Sequence, residues 1–475
     1  MNKVGVYLIL GAVLATGQTI TSSIVGAVVD SGDLPVVGAK LVLTQAATGI
    51  ERRAETDALG NFVLSNLEPG RYTLTVEVPG FKRLERTDLI LSPAERLSVG
   101  KLVLEVGNLV ETVTVTAQGA LVQTASSERS GLIASDQIQN LLTRSRNIMS
   151  LLSLLPGVVD INDGAVDSLT RTFSIFVQGN RRTANSISMD GMLLNPWGLG
   201  WAYDVAISQD SVAEVKVLLG NYQAEYGRRS GANIVLIGKS GTQQFHGLFS
   251  YFKRHEQFNA NDFFRNRNSQ PKARYRYNTW TYNIGGPVYI PGKFNKDKDK
   301  LFFFWNQEFW PQESVLTGRV TVPTELERAG NFSQSLDLNN ALIPVRDPFA
   351  NKQPFPGNVI PSSRINSDGQ ALMKVFDPPN FLDRNISKGN YNYVFDTPVS
   401  KPHRMTTLRL DSNISSSNRV SFSYYDYYNK QTGKMGLDTG GSNWPQFEKG
   451  YFFRGQSFVA RHTWIISPTL ISEAS

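Results

Sequence analysis

The sequence contains no cysteine and only four histidines, and these two shortages exclude several classes of function. Without thiols, disulfides, thiolate metal sites and cysteine nucleophiles are all excluded. The histidines, His246, His255, His403 and His462, never fall at metal-ligand spacing, so we expect them to be ordinary strand or surface residues. The sequence therefore predicts no metal, no other cofactor and no catalytic constellation that would make the chain an enzyme.

Clustered charge and long apolar runs are also missing. The net charge of +7 comes from 48 basic and 41 acidic residues and is diffuse, with sign alternation over 296–300. No basic stripe of the kind that binds nucleic acid is present, so we expect no nucleic-acid partner. After the N-terminus, no stretch reaches the ~18–20 apolar residues of a membrane helix.

The N-terminus has the pattern of an export signal. Lys3 precedes the apolar run 4–14, and Ala15-Thr16-Gly17 supplies small residues of the kind found at signal cleavage sites. We predict a cleaved signal peptide over 1–17, with a buried N-terminal strand as the alternative.

Aromatic residues are concentrated in the second half of the chain. Residues 1–244 contain 11 of the 50 aromatics, and residues 245–475 contain 39. Membrane β-barrels have this enrichment because aromatic girdles mark both interfaces. We therefore expect a domain boundary near Gln244.

A first module over 22–105 has the pattern of a β-sandwich. Apolar and polar residues alternate in short runs separated by turn residues. The predicted strands are 24–29, 39–44, 61–64, 72–78 and 102–106.

The turns of this module carry a specific motif. Its residues are Asp57-x-x-Gly60-x-Phe62, Leu67-x-Pro69-Gly70-x-Tyr72-x-Leu74 and Pro79-Gly80-Phe81. This spacing resembles the carboxypeptidase regulatory-like domain, which implies a transthyretin-like or carbohydrate-binding-like sandwich and no peptidase activity. Tyr72 and Phe81 have two interpretations, stacking on a sugar or packing in the core, and we favour the core.

A linker over 108–118 follows the sandwich. Its residues Glu111, Thr112, Val113, Thr114 and Val115 resemble a TonB box, a short segment that pairs as a strand with the energy-coupling protein TonB. Such pairing would be β-augmentation, and β-branched residues favour the extended form. The alternative is an ordinary last strand of the sandwich.

A second module over 119–243 begins with helical patterns. Ser135 is the expected cap of a helix with Ile138, Leu141 and Leu142 on its apolar face, and a second helix is expected over 148–155 before Pro156-Gly157. Strands are expected over 173–178, 186–190, 212–217 and 231–235. This order resembles the plug domain of TonB-dependent receptors, although Phe176-Val177-Gln178-Gly179 lacks the usual arginine and Ile237-Gly238 is expected to interrupt the closing strand.

The third module, 244–475, has the pattern of a membrane barrel. Strands with alternating faces are predicted over 245–253, 275–285, 301–310, 403–413, 419–428 and 455–465. We expect Thr407, Arg409, Asp411, Ser421 and Ser423 to face inward, and Thr406, Leu408, Leu410, Val420, Phe422 and Tyr424 to face lipid.

The stretch 312–402 is rich in Pro, Asn, Asp and Ser and is expected to be one long extracellular loop. Plugged transporters have 22 strands. The six clear candidates here indicate an incomplete barrel and hence a fragment or truncated product.

The sequence thus predicts a mainly β chain: a transthyretin-like sandwich, an α+β plug and part of an antiparallel barrel. The resemblance implies a TonB-dependent outer-membrane receptor that takes up an unidentified ligand, with carbohydrate or peptide favoured. TonB and outer-membrane lipid are its implied partners, and the sandwich would be periplasmic. The alternative is a secreted or periplasmic carbohydrate-binding module with a vestigial barrel.

Overall fold

The structure, a computed structural model, describes most of the chain from residue 21 to residue 475. The residues that it does not describe are 1–20, 94, 108–111, 117–126, 142–145, 162–174, 196–204, 224–225, 228, 268, 416, 436, 438–445 and 468–469. The predicted signal peptide and Glu111 lie outside the described residues.

The first module is a sandwich of two sheets, as predicted. Its strands are β1 (Ser22–Asp30), β2 (Lys40–Gln45), β3 (Glu51–Glu55), β4 (Asn61–Leu67), β5 (Gly70–Glu77), β6 (Arg83–Leu91), β7 (Arg96–Leu104) and β8 (Thr112–Thr116). One sheet has the order β4-β1-β7 and the other β3-β2-β5-β6-β8. The inward-facing Leu, Val and Ile side chains of both sheets form one buried cluster.

Strands β3 and β6 were missed by the sequence analysis. The sequence of β3, ERRAE, is mostly charged and has no buried position, and β3 is the first strand of its sheet. The sequence of β6, RLERTDLIL, buries Leu84, Leu89 and Leu91, but four residues separate Leu84 from Leu89, which breaks strict alternation. Apolar alternation detects a strand only where one face is buried without a break in the period of two, so both strands escape it.

The turn before β4 explains part of the predicted motif. The Asp57 carboxylate accepts hydrogen bonds from the N–H groups of Leu59 and Asn61. Gly60 has φ +74°, and a Cβ there would lie 2.6 Å from the Val28 carbonyl oxygen. Only glycine fits this left-handed, closely packed position.

The second module is built on a mixed five-stranded sheet. Its strands are β9 (Arg129–Ile133), β10 (Val158–Asp160), β11 (Ile175–Val177), β12 (Ser186–Met189), β13 (Met192–Leu193), β14 (Val212–Gly220) and β15 (Asn233–Gly238). The sheet order is β13-β12-β15-β14-β9, while β10 and β11 form a separate pair. Every residue of β15 is buried, and the strand runs through Ile237-Gly238, so the expected interruption was wrong.

The helices of this module are shorter than the sequence suggested. Helix α1 spans Ser135–Asn140 and is capped by Ala134 rather than Ser135, and Leu141 is exposed. The second helix is a 3-10 helix, Ile148–Leu154. No helix in the described ranges has the length and apolarity needed to cross a membrane.

The third module is one large antiparallel sheet. Its strands are β16 (His246–His255), β17 (Tyr275–Pro287), β18 (Leu301–Trp310), β19 (Gln312–Val320), β20 (Tyr393–Ser400), β21 (His403–Asn413), β22 (Asn418–Gly433), β23 (Lys449–Ser467) and β24 (Leu470–Ala474). All six predicted barrel strands are present. Pro311 separates β18 from β19 and Pro402 separates β20 from β21, since proline cannot donate a ladder hydrogen bond.

Side chains alternate across this sheet as predicted. Thr407, Arg409, Asp411 and Ser423 are buried on the face that covers the second module. The opposite face exposes large apolar side chains, among them Phe249, Tyr282, Ile284, Phe458 and Trp464. An apolar outer band of this kind suits contact with lipid.

The expectation that 312–402 is one loop was wrong. Strands β19 and β20 pair along this stretch from Glu313 with Ser400 to Val320 with Tyr393. The intervening segment contains short helices, including α3 (Glu325–Arg328), α4 (Ser367–Met373) and α5 (Arg384–Ser387), and these follow α2 (Phe263–Arg267) of the preceding loop. Strands that extend beyond the membrane face water on both sides and therefore lack the apolar alternation of a spanning strand.

Candidate functional site

The three modules meet at a buried ionic cluster on the inner face of the barrel sheet. Arg409 is at its centre, because alternation along β21 directs this side chain inward. Its Nε donates to Asp411 at 2.9 Å, and Nη1 lies 3.3 Å from the Asp190 carboxylate of the second module. Arg409 also donates to the Gly238 carbonyl oxygen at 3.2 Å.

Asp190 is the contribution of the second module. It follows β12 with φ +49°, a left-handed conformation that aspartate tolerates. Its carboxylate accepts the Gly238 N–H at 2.9 Å and the Tyr425 hydroxyl at 2.6 Å. Ser423 adds a longer contact of 3.3 Å from its Oγ. One carboxylate thus joins two strands of the second module to the barrel wall.

Glu68 is the contribution of the first module. It lies in the turn between β4 and β5, and its carboxylate is 2.6 Å from Arg419 and 3.5 Å from Arg409. Arg419 also lies 3.2 Å from Asp411. We call Glu68, Asp190, Arg409, Asp411 and Arg419 the three-module joint.

The burial of its charges makes the joint costly to break one ion pair at a time. Its side chains are from 3% to 23% exposed, so each charge has lost most of its water. Buried ion pairs add little net stability over apolar residues of the same shape, but removing one partner is costly. The joint therefore specifies how the modules dock and resists partial separation.

A second polar contact joins the second module to the barrel near residue 308. Glu308 is 1% exposed and accepts hydrogen bonds from Ser208 at 2.6 Å and from Thr281 at 3.1 Å. Arg146 pairs with Asp210 at 2.5 Å and lies 3.5 Å from Glu308. Together with the joint, this contact holds the second module to the barrel wall at two places.

Apolar packing completes the interface between these modules. Trp310, Met405, Tyr425 and Tyr427 of the barrel belong to the same buried cluster as the core of the second module. Such a shared core means that the second module cannot leave the wall without exposing apolar surface.

The TonB-box-like segment lies at the edge of the first module. Its residues Thr112, Val113, Thr114 and Val115 fall within β8, which pairs in parallel with β6 and is the last strand of its sheet. The Thr114 side chain is exposed.

The two aromatics considered for sugar stacking are packed in or against the core of the first module. Tyr72 is 4% exposed, belongs to the core and donates its hydroxyl hydrogen to the Glu68 carbonyl oxygen at 2.7 Å. Phe81 packs against the same core. The Tyr72 ring is therefore not accessible to a sugar, while Phe81 is partly buried.

The inward direction of two side chains of the joint is predictable from the sequence, but the full set of residues that form the joint is not. The sequence predicts that Arg409 and Asp411 face inward and that Asp190 ends the strand 186–190. Glu68 occupies the unspecified position between Leu67 and Pro69 of the turn motif. A charged residue in that motif gives no signal of its distant partner.

A pair of carboxylates marks the contact between the first and second modules. Glu214 of β14 lies near Glu95, and its Oε2 is buried without a hydrogen-bond partner. Burial, with a smaller contribution from Glu95, raises the pKa of Glu214 to about 7. The charged form is therefore disfavoured in the folded protein.

This pKa predicts a stability that depends on pH. A carboxyl whose folded pKa lies above its unfolded value stabilises the fold at low pH, and this advantage is lost as pH rises from 4.5 to about 7. Between pH 5 and pH 8 we expect the unfolding free energy of wild type to fall by about 2 kcal/mol more than that of Glu214→Gln. This value allows for the partial exposure of Glu214. Urea unfolding in detergent micelles measures this difference. Glu55→Gln, at an exposed position, is the control, and parallel pH curves for wild type and Glu214→Gln would contradict the assignment.

No group of His, Asp and Glu side chains that could hold a metal ion occurs among the residues that the structure describes. The charged side chains of the joint are instead paired with one another.

Comparison with known proteins agrees with this architecture. The family described as "Outer membrane beta barrel domain" matches residues 237–475, and the "Carboxypeptidase regulatory-like domain" matches residues 23–105. The chain belongs to the outer membrane β-barrel family, which matches about half of it. It is accordingly a protein of the outer membrane.

The chain is also similar to one curated protein and to two solved structures. The TonB-dependent transporter Oar of Myxococcus xanthus is 28% identical over 260 residues, which are 52% of this chain and 23% of that protein. The chain thus spans about a quarter of its relative's length. The outer membrane transporter YddB of Escherichia coli matches with TM-score 0.42 and 11% identity, over 70% of this chain and 36% of that one. The ferric enterobactin receptor of Pseudomonas aeruginosa matches with TM-score 0.38 and 12% identity, over 72% and 40%.

Proposed function

We propose that the chain acts in energised uptake of a ligand through the outer membrane, with the second module as a plug. The observation that carries this proposal is the packing of the second module on the inner face of the barrel sheet through the three-module joint. A folded module held in that position closes a lumen until it is displaced. We propose no bond-making chemistry for the chain.

The segment that would receive the pull is β8 together with Glu111. As the last strand of its sheet, β8 has one edge not paired within the described residues, and a strand of a TonB-type protein would pair there. The linker after β8 leads directly to the second module. A pull on β8 would therefore act on the plug, with the first module in the periplasm.

The ligand class stays open between carbohydrate and peptide in this proposal. The second candidate function, a carbohydrate-binding module that works without a barrel, receives less support. Tyr72 is packed in the core, and the outward apolar band of the barrel sheet suits lipid.

The test of coupling uses the absence of native cysteine. Thr114→Cys provides a single thiol on β8, and we expect it to form a disulfide with cysteines placed in the pairing strand of the organism's TonB-type protein. The expected yield in cells is at least tenfold above that of Val63→Cys, a control on exposed strand β4 of the same module. Equal yields at both positions would contradict the proposal.

A further inference from the structure

The outward-facing side of the β19–β20 extension is a separate surface from the barrel lumen. The pairing of β17 continues in one register from Trp280 with Phe309 to Tyr277 with Gln312. Because Trp310 faces the second module, strand alternation directs Val315, Thr317 and Arg319 away from it.

The loop between β16 and β17 folds over this outward side. Arg265 of α2 is 8% exposed and fixes the loop there. Its guanidinium pairs with Asp396 at 2.5 Å and donates to the Thr317 hydroxyl at 3.2 Å and to the Pro271 carbonyl oxygen at 3.0 Å. The loop is thereby held against β19 and β20 as a fixed wall.

A cavity of about 690 Å³ lies between this loop, β19 and the segment 380–394. Ligand pockets for small molecules are typically about 300–1,000 Å³. The cavity is thus large enough for one to three sugar rings, and it is distinct from the plug and from the three-module joint.

Its most distinctive group is a cation held by aromatic rings. The Arg319 guanidinium lies 5.1 Å from the ring centre of Phe264 and 5.8 Å from that of Tyr391. Phe381 packs on Tyr391 with ring centres 5.2 Å apart. No carboxylate among the described residues pairs with Arg319, so its N–H donors are available to a ligand.

Other lining groups add positive charge and hydrogen-bonding capacity. Arg267 has no ionic partner among the described residues, and Lys272 makes only a long 3.4 Å contact to a carbonyl oxygen. The side-chain amides of Asn259 and Gln270 also line the cavity.

The two acidic residues that line the cavity already accept hydrogen bonds from other groups of the protein. Glu256 pairs with Arg276 at 3.1 Å, and this hydrogen bond lowers the pKa of Glu256 to about 2. Asp262 accepts the N–H groups of Phe264 and Arg265. The charge that remains available to a ligand is therefore positive.

We propose that this cavity binds an anionic saccharide, a sugar chain that carries carboxylate or phosphate groups. Aromatic rings pack on the apolar faces of sugars, amides bond their hydroxyls, and guanidinium groups bind carboxylate or phosphate through paired donors. The site goes beyond the proposed uptake function, because it lies outside the lumen. The same chemistry fits a free oligosaccharide and the head group of a glycolipid beside the barrel.

The experiment compares binding by wild type and by Arg319→Gln, with the full chain in lipid nanodiscs. In one arm the probe is trigalacturonate, with neutral galactotriose as its counterpart. In the other arm the nanodiscs contain lipopolysaccharide in place of phosphatidylethanolamine, and the amount of lipopolysaccharide that stays bound to the purified protein is measured. We expect Arg319→Gln to weaken binding of the anionic probe about tenfold or more in at least one arm.

Lys272→Gln, a second cavity variant at an exposed position, is expected to act in the same direction. Lys374→Gln, at an exposed turn residue outside the cavity, should leave binding unchanged. The arm that responds identifies the source of the saccharide. The proposal would be overturned if wild type bound the anionic and the neutral probe equally well. It would also be overturned if neither cavity variant changed binding in either arm.

Discussion

Replacing Arg409 by alanine is expected to lower the unfolding free energy of the protein by about 3–5 kcal/mol. The substitution removes the cation beside Asp190 and leaves Asp411 and Glu68 with Arg419 as their one remaining cation in the joint. These carboxylates are too buried for water to compensate fully, and each then repels the others. Urea unfolding of the protein in lipid vesicles measures the loss.

Two further variants separate the ionic effect from lost packing. Lys430→Ala removes an exposed cation from the neighbouring strand β22 and should change stability by less than about 0.5 kcal/mol. Arg409→Lys keeps the charge but not the forked donor geometry, so it should recover only part of the loss. If Arg409→Ala lowered the unfolding free energy as little as Lys430→Ala does, the joint would not hold the modules together as argued here.

Asp190→Ala provides the matching change on the second module. The double variant with Arg409→Ala should cost less than the two single changes together, by about 1–3 kcal/mol, because both remove the same interaction. Strict additivity would mean that the two side chains do not act together.

The barrel strands could be predicted because their environment imposes a pattern. Lipid on one face and a packed module on the other force period-two alternation, and this pattern identified β21 and β22 with the correct inward residues. The motif around Asp57 and Gly60 predicted the sandwich for a similar reason, since its turn accepts few other residues.

The parts that escaped prediction lack such one-sided constraints. β3, β6, β19 and β20 are strands rich in polar or charged residues, so their pairing is set by neighbouring strands rather than by their own alternation. Composition made 312–402 resemble a single loop because strands that face water on both sides and loops share the same polar residues.

The three-module joint could not be predicted in full, because its partners are remote in sequence. Glu68 and Arg419 are brought together only when the first module docks on the barrel. Asp190 is identifiable as a turn residue, but its pairing with Arg409 depends on the position of the whole second module. The sequence specified the direction in which Arg409 points, and the tertiary structure supplied its partners.

The most direct test of the central claim, that the second module closes the passage through the barrel, uses the reactivity of one thiol. Ser423 is 3% exposed and faces Asp190, so Ser423→Cys places the protein's only thiol behind the second module. We expect a membrane-impermeant thiol reagent to label it at most slowly in outer membranes, while Lys374→Cys, at the exposed residue that follows helix α4, reacts fully. Deletion of residues 119–243 should make Ser423→Cys react at least about tenfold faster, because the covering module is gone. Equally fast labelling with and without residues 119–243 would show that the second module does not cover the barrel wall, and the account would be wrong.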